Sequence, residues 1–455
     1  MAITVRVLVP SGALGLDWDA AAFEAGLAME PDVIVIDGGS TDSGPHYLGT
    51  GTSKYSRATT KAQWAALMDA RARADVPLVI GSAGTCGTDS TVAWLLDITR
   101  EIAVERGERV RVATLESEQD ADSVASALEA GRVRPLDPAP EIDAATLGDC
   151  THIVALAGAE QIGAALASGA AIVIAGRTSD AASIAALPLA RGVPPGPAWH
   201  GGKVGECGAL CTTEQGAGSV MVAFDADGFT IVPLADGARA TPRTVSAHML
   251  YENADPLRLV EPGGTLDVSD ARYEALDERR TRVTGARWVP ADQYTVKLEG
   301  ARRIGFQTAS LVLVREPAYV AAIDAWCAQV TSLCRERAAA RTGLPAEAFT
   351  VELRAIGAHA TLGPLETGGG GPHEIGVLGI VTAPDQATAN EIAKVLNPLL
   401  LHHALTRDEP MPTHAFPFSP PEMERGPAHG FALNHVLALD DPMEAFRLRL
   451  HEVGP

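Results

Sequence analysis

No apolar run in this sequence reaches membrane-spanning length, so no bilayer span is expected. The opening residues, MAITVRVLVPSG, lack the layout of a secretory signal. VRVLVP is short and β-branched and reads as a first strand. Cysteine is scarce, with six in 455 residues: Cys86, Cys150, Cys207, Cys211, Cys327 and Cys334. They are scattered and form no CxxC pair, which argues against a disulfide framework or a zinc site and for reduced thiols in a cytoplasm. Basic residues are in deficit, 36 Lys and Arg against 57 Asp and Glu, a net charge of −21. That opposes non-specific nucleic-acid binding and anionic membrane surfaces. It leaves the substrate open, because a local basic cluster can hold an anion inside an acidic protein. There is no GxxxxGK[ST] and no GxGxxG, so a nucleotide site has little support. Internal repeats and low-complexity tracts are also missing.

The chain is too long for one ordinary core. The expected division is an α/β domain over 1–215 and an α+β part over 216–455, with a further division allowed near 343–373. In the first 190 residues, strand-length apolar runs recur at 4–10, 32–39, 76–84, 109–117, 152–158 and 170–177, separated by alanine-rich helical stretches. The runs are continuous rather than alternating, which predicts a parallel sheet buried on both faces by helices. After about residue 215 the character changes. SVMVAFDADGFTIVPL predicts a hairpin turning at Ala226-Asp227-Gly228. Further antiparallel strands, a long helix over 317–343 and a final α+β unit follow, with TGGGGPH (367–373) as a flexible connection.

Each run of the first part is followed by polar or glycine-rich residues. In an open parallel sheet such loops share the carboxyl edge, where these folds place ligands. The richest loop is DGGSTDSGPHYLG, offering Asp37, Ser40, Thr41, Asp42, His46 and Tyr47. Ser82 and Gly84 follow the third run, and Arg177 and Asp180 follow the sixth. Each also has a purely structural explanation: an acid after a strand often caps a helix or closes an Asx turn, and Arg177 with Asp180 could be a local ion pair. Asp89 reads as a helix cap. Two more stretches concentrate chemistry. In HGGKVGECGALC a helix would put Lys203, Glu206 and Cys207 on one face, while the glycines suggest close backbone approach and Cys207 reads as a packed thiol. In TVKLEGARRIGFQT a strand would point Lys297 and Glu299 the same way; Lys297, Arg302 and Arg303 could hold a carboxylate or a CoA phosphate. HEIG (373–376) and AFPFSPPE (415–422) could rim a site. IDGGST has the look of the turn in actin-like and sugar-kinase folds, but SGPHYLGTGTSKYS, which follows, forms no second strand.

Seven stretches, VIVIDGGSTDSGPHYLG, VIGSAG, AGRTSD, GKVGECG, YTVKLEG, PHEIG and FPFSP, occur in the order of the acyclic terpene utilisation (AtuA-like) family, which the chain resembles over nearly its whole length. The resemblance implies a catabolic enzyme, with a lyase or hydratase among the readings, and a small companion subunit as a candidate partner. Some branches of that family carry an RSGDKG-type motif that is missing here. The expectation is therefore a cytoplasmic, homo-oligomeric lyase acting on a small carboxylate or its CoA thioester, with CoA present only as part of the substrate and no other cofactor. Asp42, Glu206, Lys203 and Asp37 are the candidate catalytic groups; Asp42 is expected to move protons and Asp37 to anchor the loop. Two alternatives stand beside it: a partner-dependent, non-catalytic subunit, and a metal-dependent hydrolase using Asp37, Asp42 and His46 as ligands. The cysteine pattern yields a direct test: reductant should leave the melting temperature unchanged in a thermal scan.

Overall fold

The computed structural model describes residues 4–367 and 371–455; residues 368–370, within the TGGGGPH stretch, lie outside the described residues. In the strand Val33–Asp37, Val33 and Val35 enter one apolar core while Ile34 and Ile36 enter another. Val79 is divided in the same way from Leu78 and Ile80, and Val173 from Ile172 and Ile174. This is the two-sided burial that continuous apolar runs predict. Five strands, Val5–Val9, Val33–Asp37, Leu78–Gly81, Ile172–Ala175 and Val110–Glu116, lie parallel in that spatial order. Trp64 and Leu67 of the helix Arg57–Ala74 and Leu95 and Ile98 of the helix Asp89–Arg106 cover one face. The helices Asp180–Ala190 and Pro195–Gly205 cover the other, through Ile184, Trp199 and Val204.

Antiparallel strands extend this sheet at both edges. Val220–Phe224 pairs with Val5–Val9 and is followed outward by Gly228–Pro233, Thr281–Thr284 and Arg272–Ala275; Arg447–Val453 pairs with Val110–Glu116. The expected hairpin forms, with the Asp225 carboxylate accepting from the Asp227 and Gly228 N–H groups. The change of character near residue 215 is thus a change of strand direction within one sheet: Val222 and Phe224 share the core of Val7 and Val35. The chain divides into two compact units, residues 1–302 with 431–455, and residues 303–430. Residues 216–302, expected to open the second part, lie in the first unit.

One run departs from the predicted parallel sheet. The strand Cys150–Ala155 pairs antiparallel with residues Leu298–Arg302 of the long strand Tyr294–Val314. Its residues take part in a separate sheet, and its partner brings Glu299 into the first unit's interior.

In the unit 303–430, residues Phe306–Val314 pair with Ile375–Ala383, which pairs with Thr350–Ile356, all antiparallel. The helices Ile323–Thr342 and Gln386–His402 supply Trp326, Val330, Leu396 and Leu400 to a core with Val312, Val377 and Val381. This unit combines antiparallel strands with helices. All six cysteines are free. Among the described residues no helix is long and apolar enough to cross a membrane.

Ile36 is 1% exposed and directly precedes Asp37. Truncation to alanine should cost about 2–5 kcal/mol, read as a lowered midpoint in urea denaturation.

Candidate functional site

The strands Val5–Val9, Val33–Asp37, Leu78–Gly81 and Ile172–Ala175 end at one sheet edge, and residues just beyond each of them line a single cavity of about 490 Å³. Ser11 comes from the first, Asp37 and Asp42 from the second, Thr85 from the third and Asp180 from the last; Lys54, Tyr55, Cys207, Tyr251 and Glu252 are also in the wall. The cavity lies wholly in the larger unit. Its size suits a small molecule or the acyl end of a larger one.

The second loop is more ordered than its composition suggests. Gly39 turns the chain at φ 111°, and Ser40 Oγ accepts from the Asp42 N–H at 3.2 Å to start a tight turn, Thr41–Ser43. Pro45 then begins a short helix, Pro45–Thr50, where an irregular run was expected. Proline at a first helical position is favourable, since its missing N–H has no helical partner there. The helix takes His46 and Tyr47 away from the cavity wall. Their rings meet edge to face at 5.2 Å, and Tyr47 packs against a small core of Leu48, Cys86, Val154 and Ala301. The ligand set Asp37, Asp42 and His46 therefore does not assemble. Among the described residues, Glu206, Cys207 and His248 form the cluster with metal-ligand chemistry.

The third loop is strained. Ser82 (φ 47°) and Thr85 (φ 82°) hold left-handed backbone without being glycine, at a cost of order 1–3 kcal/mol each. Hydrogen bonds from Ser82 N to Gly176 O (2.9 Å) and from Ala83 N to Ala175 O (3.0 Å) hold it in place. Gly84 packs on Thr91 and does not reach the cavity.

Behind the wall sits a charged network. Arg177, 7% exposed, donates from Nε to Glu299 Oε2 at 2.8 Å, and from Nη1 to Ser82 Oγ at 3.0 Å and Thr178 O at 2.9 Å. It also approaches Asp180 Oδ1 at 3.5 Å. Glu299 accepts from Thr41 Oγ1 (3.0 Å) and from Lys297 Nζ (3.2 Å), so Lys297 and Glu299 do share a strand face. Lys203 pairs with Glu206 one helical turn on, both nearly buried. The glycines of that helix serve packing: a Cβ on Gly202 would come 2.4 Å from the Ala181 carbonyl oxygen.

These surroundings drive the carboxyls apart. Burial pushes the Glu299 carboxyl up, but Arg177 and Lys297 outweigh it and bring it down to about 2. Burial and the neighbouring Asp180 raise Asp37 well above its ordinary value, against Arg177 and the N–H groups of Gly39 and Gly38. Asp180 is itself raised by burial, against Arg177 and Lys203. Burial lifts Glu206 to about 8 despite Lys203, and Glu261 to about 7 despite a 2.6 Å bond from Ser179 Oγ. Asp37 Oδ1 is buried without a hydrogen-bond partner, whereas its Oδ2 accepts from Gly39 N at 3.0 Å. Asp42 is exposed and stands at the cavity beside Glu252. Asp37 is thus a buried, perturbed acid that also holds the loop through the Gly39 N–H, and Asp42 is exposed at the cavity.

Residues 5–192 and 196–410 match the family described as acyclic terpene utilisation family protein AtuA. The chain belongs to this AtuA family. The family links it to acyclic terpene catabolism, and the matched segments contain every cavity-lining residue named above. No curated protein and no solved structure matches the chain.

Of the expected site residues in this AtuA family member, Asp37, Ser40, Asp42 and Asp180 line the cavity. Thr41, Ser82, Arg177, Lys297 and Glu299 form the network behind it, and Lys203 and Glu206 a second buried pair beside Cys207. Lys54, Tyr251 and Glu252 were not foreseen. Lys54 Nζ donates to Ser43 Oγ at 3.1 Å, a contact between a loop and a turn that no spacing announces. Glu252 had one local signal, its place in the polar YENADP turn; its φ of 58° is unusual for a glutamate.

Two substitutions test the network. Glu299→Gln leaves Arg177 buried without its counter-ion and should cost about 3–5 kcal/mol in urea denaturation. The Glu299 contribution is present above the ordinary carboxyl value of 4.5 and is lost as pH falls through it toward 2. Glu261 has the opposite sign: its raised value removes stability as pH climbs from 4.5 to about 7. Glu261→Gln should therefore reduce the drop in melting temperature between pH 5 and pH 8, by on the order of a few degrees.

Proposed function

We propose that this catabolic family member is an acid–base lyase of the hydratase–dehydratase kind, whose reacting group enters as a neutral acyl thioester. The observation that carries the reading is the Asp37–Asp180 pair at the cavity wall, with Asp37 Oδ1 buried and unpartnered. Water removal from a 3-hydroxyacyl group needs one carboxylate to take the α-proton and one acid to protonate the departing hydroxyl. A pair whose proton is retained to unusually high pH by burial and mutual repulsion offers both states at once. In this reading Asp180 accepts the α-proton, Asp37 donates to the hydroxyl, water leaves, and a proton passing between the two carboxyls restores the start. Addition of water runs the same steps in reverse. Lys54 is the cavity's cation among the described residues and would face the developing enolate oxygen.

The lining favours a thioester over a free acid. Asp17, Asp37, Asp42, Asp180 and Glu252 line the cavity together with Lys54; of the cations expected to hold a carboxylate, Lys297 is paired with Glu299 and Arg302 with Asp149, and neither these nor Arg303 line it. A thioester brings no charge to the reacting carbon.

The test is turnover of paired enoyl- and 3-hydroxyacyl-CoA thioesters, followed by the ultraviolet absorbance of the conjugated thioester, with the matching free acids as controls. Thioesters alone should turn over. Asp37→Asn and Asp180→Asn should each lose about a hundredfold or more in rate, the scale of a lost acid or base, with melting temperatures close to wild type. Asp42→Asn should lose less than about tenfold, the mark of a group outside the proton path. A near-wild-type rate in Asp37→Asn removes the pair from the mechanism. Thioester binding without turnover, with or without a companion subunit, favours a non-catalytic subunit instead.

A further inference from the structure

The turn that ends the helix Pro195–Gly205 and the short turn His248–Leu250 bring Glu206, Cys207 and His248 together from distant parts of the chain. One ligand-type atom of each lies within 4.8 Å of the others. Glu206 and His248 are 6% and 5% exposed, and His248 Nε2 is buried with no hydrogen-bond partner. An unsatisfied buried polar atom is unfavourable, and a ligand that pairs with it removes that penalty. The Tyr251 ring stacks on the imidazole at 5.6 Å, which orients it without satisfying that nitrogen.

We propose that Glu206, Cys207 and His248 hold a borderline-soft divalent ion of the zinc class, with a fourth position open to water or substrate. Three protein ligands drawn from nitrogen, sulfur and oxygen form the pattern of a catalytic zinc centre, whereas structural sites use four. The thiolate selects against magnesium and calcium, which take oxygen ligands. Ligand atoms around a tetrahedral zinc lie about 3.5 Å apart, so the cluster closes by roughly an ångström, within the reach of side-chain rotation at Cys207 and Glu206. Lys203 takes Glu206 Oε1, which leaves Oε2 for the ion. Binding expels the Cys207 thiol proton to solvent and leaves a metal–thiolate bond.

The surroundings favour a cation. Asp180 and Glu252 act on Cys207 together with Glu206, against Lys203. Cys207 also lines the cavity, so an ion bound there is reachable from it. The sequence spacing argued against a zinc site because the third ligand lies far along the chain, in a turn with no pattern of its own. This inference does not rest on the acid–base reading, and its test is binding itself.

The full chain, purified without a tag and stripped with a chelator, is titrated with Co²⁺ and then Zn²⁺. One equivalent of Co²⁺ should produce sulfur-to-cobalt charge-transfer absorption in the near ultraviolet, displaced by Zn²⁺, and Zn²⁺ should raise the melting temperature. Cys207→Ser should abolish the band and weaken Zn²⁺ binding at least tenfold, and His248→Gln should weaken it similarly. Cys211→Ser, four residues on, should leave both unchanged. The wild-type titration and melting shift stand by themselves if a variant fails to fold. No charge-transfer band at stoichiometric Co²⁺, or a band that survives in Cys207→Ser, overturns the proposal.

Discussion

The buried ion pair between Arg177 and Glu299 is the constraint on which the rest of the site depends. Two charges removed from water have lost solvation that their attraction alone need not restore, so such a pair persists where further hydrogen bonds complete it. Here they do: Ser82 and Thr178 accept from Nη1 of the guanidinium, and Thr41 and Lys297 reach the carboxylate. Through these partners one interaction ties together the loops that follow three parallel strands and the antiparallel strand carrying Glu299. The fold brings four chain segments to one place, and the pair fixes how they meet.

That arrangement also explains why the neighbouring acids are perturbed. Arg177 is committed to Glu299 and Lys203 to Glu206, so little positive charge remains for Asp37 and Asp180. Burial raises both above their ordinary values, and Asp180 raises Asp37 further.

The parallel sheet was legible because burial on both faces leaves a continuous apolar run, a signal contained within each strand. The run Cys150–Ala155 carries the same signal yet pairs antiparallel with Leu298–Arg302, a choice made by partners almost 150 residues away. Likewise the strands after residue 215 look like a new domain because a hairpin and further antiparallel strands replace the strand–helix alternation, although Val222 and Phe224 enter the same core as Val35. At the site, Asp37, Asp42 and Asp180 could be found because strand ends converge by rule. Their burial could not be read: Asp42 looks free in the sequence and is exposed, while Asp37 looks structural and has a buried carboxyl oxygen. Tyr251 and Glu252 reach the cavity from a turn that carries no sequence pattern tying it to the strand ends.

The left-handed conformations at Ser82 and Thr85 bear on how this site could change by mutation. Glycine would relieve the local strain at either position. It would also widen the conformational range of the unfolded chain, by about 0.4–1 kcal/mol, so the net gain in stability is small. What glycine cannot replace are the hydroxyls, since Ser82 Oγ receives Arg177 and Thr85 Oγ1 receives the Lys54 N–H. The loop keeps its awkward backbone for the sake of two oxygen atoms. A population of variants selected for thermal tolerance would thus have little to gain there, while one selected for activity would be held to small hydroxylated residues.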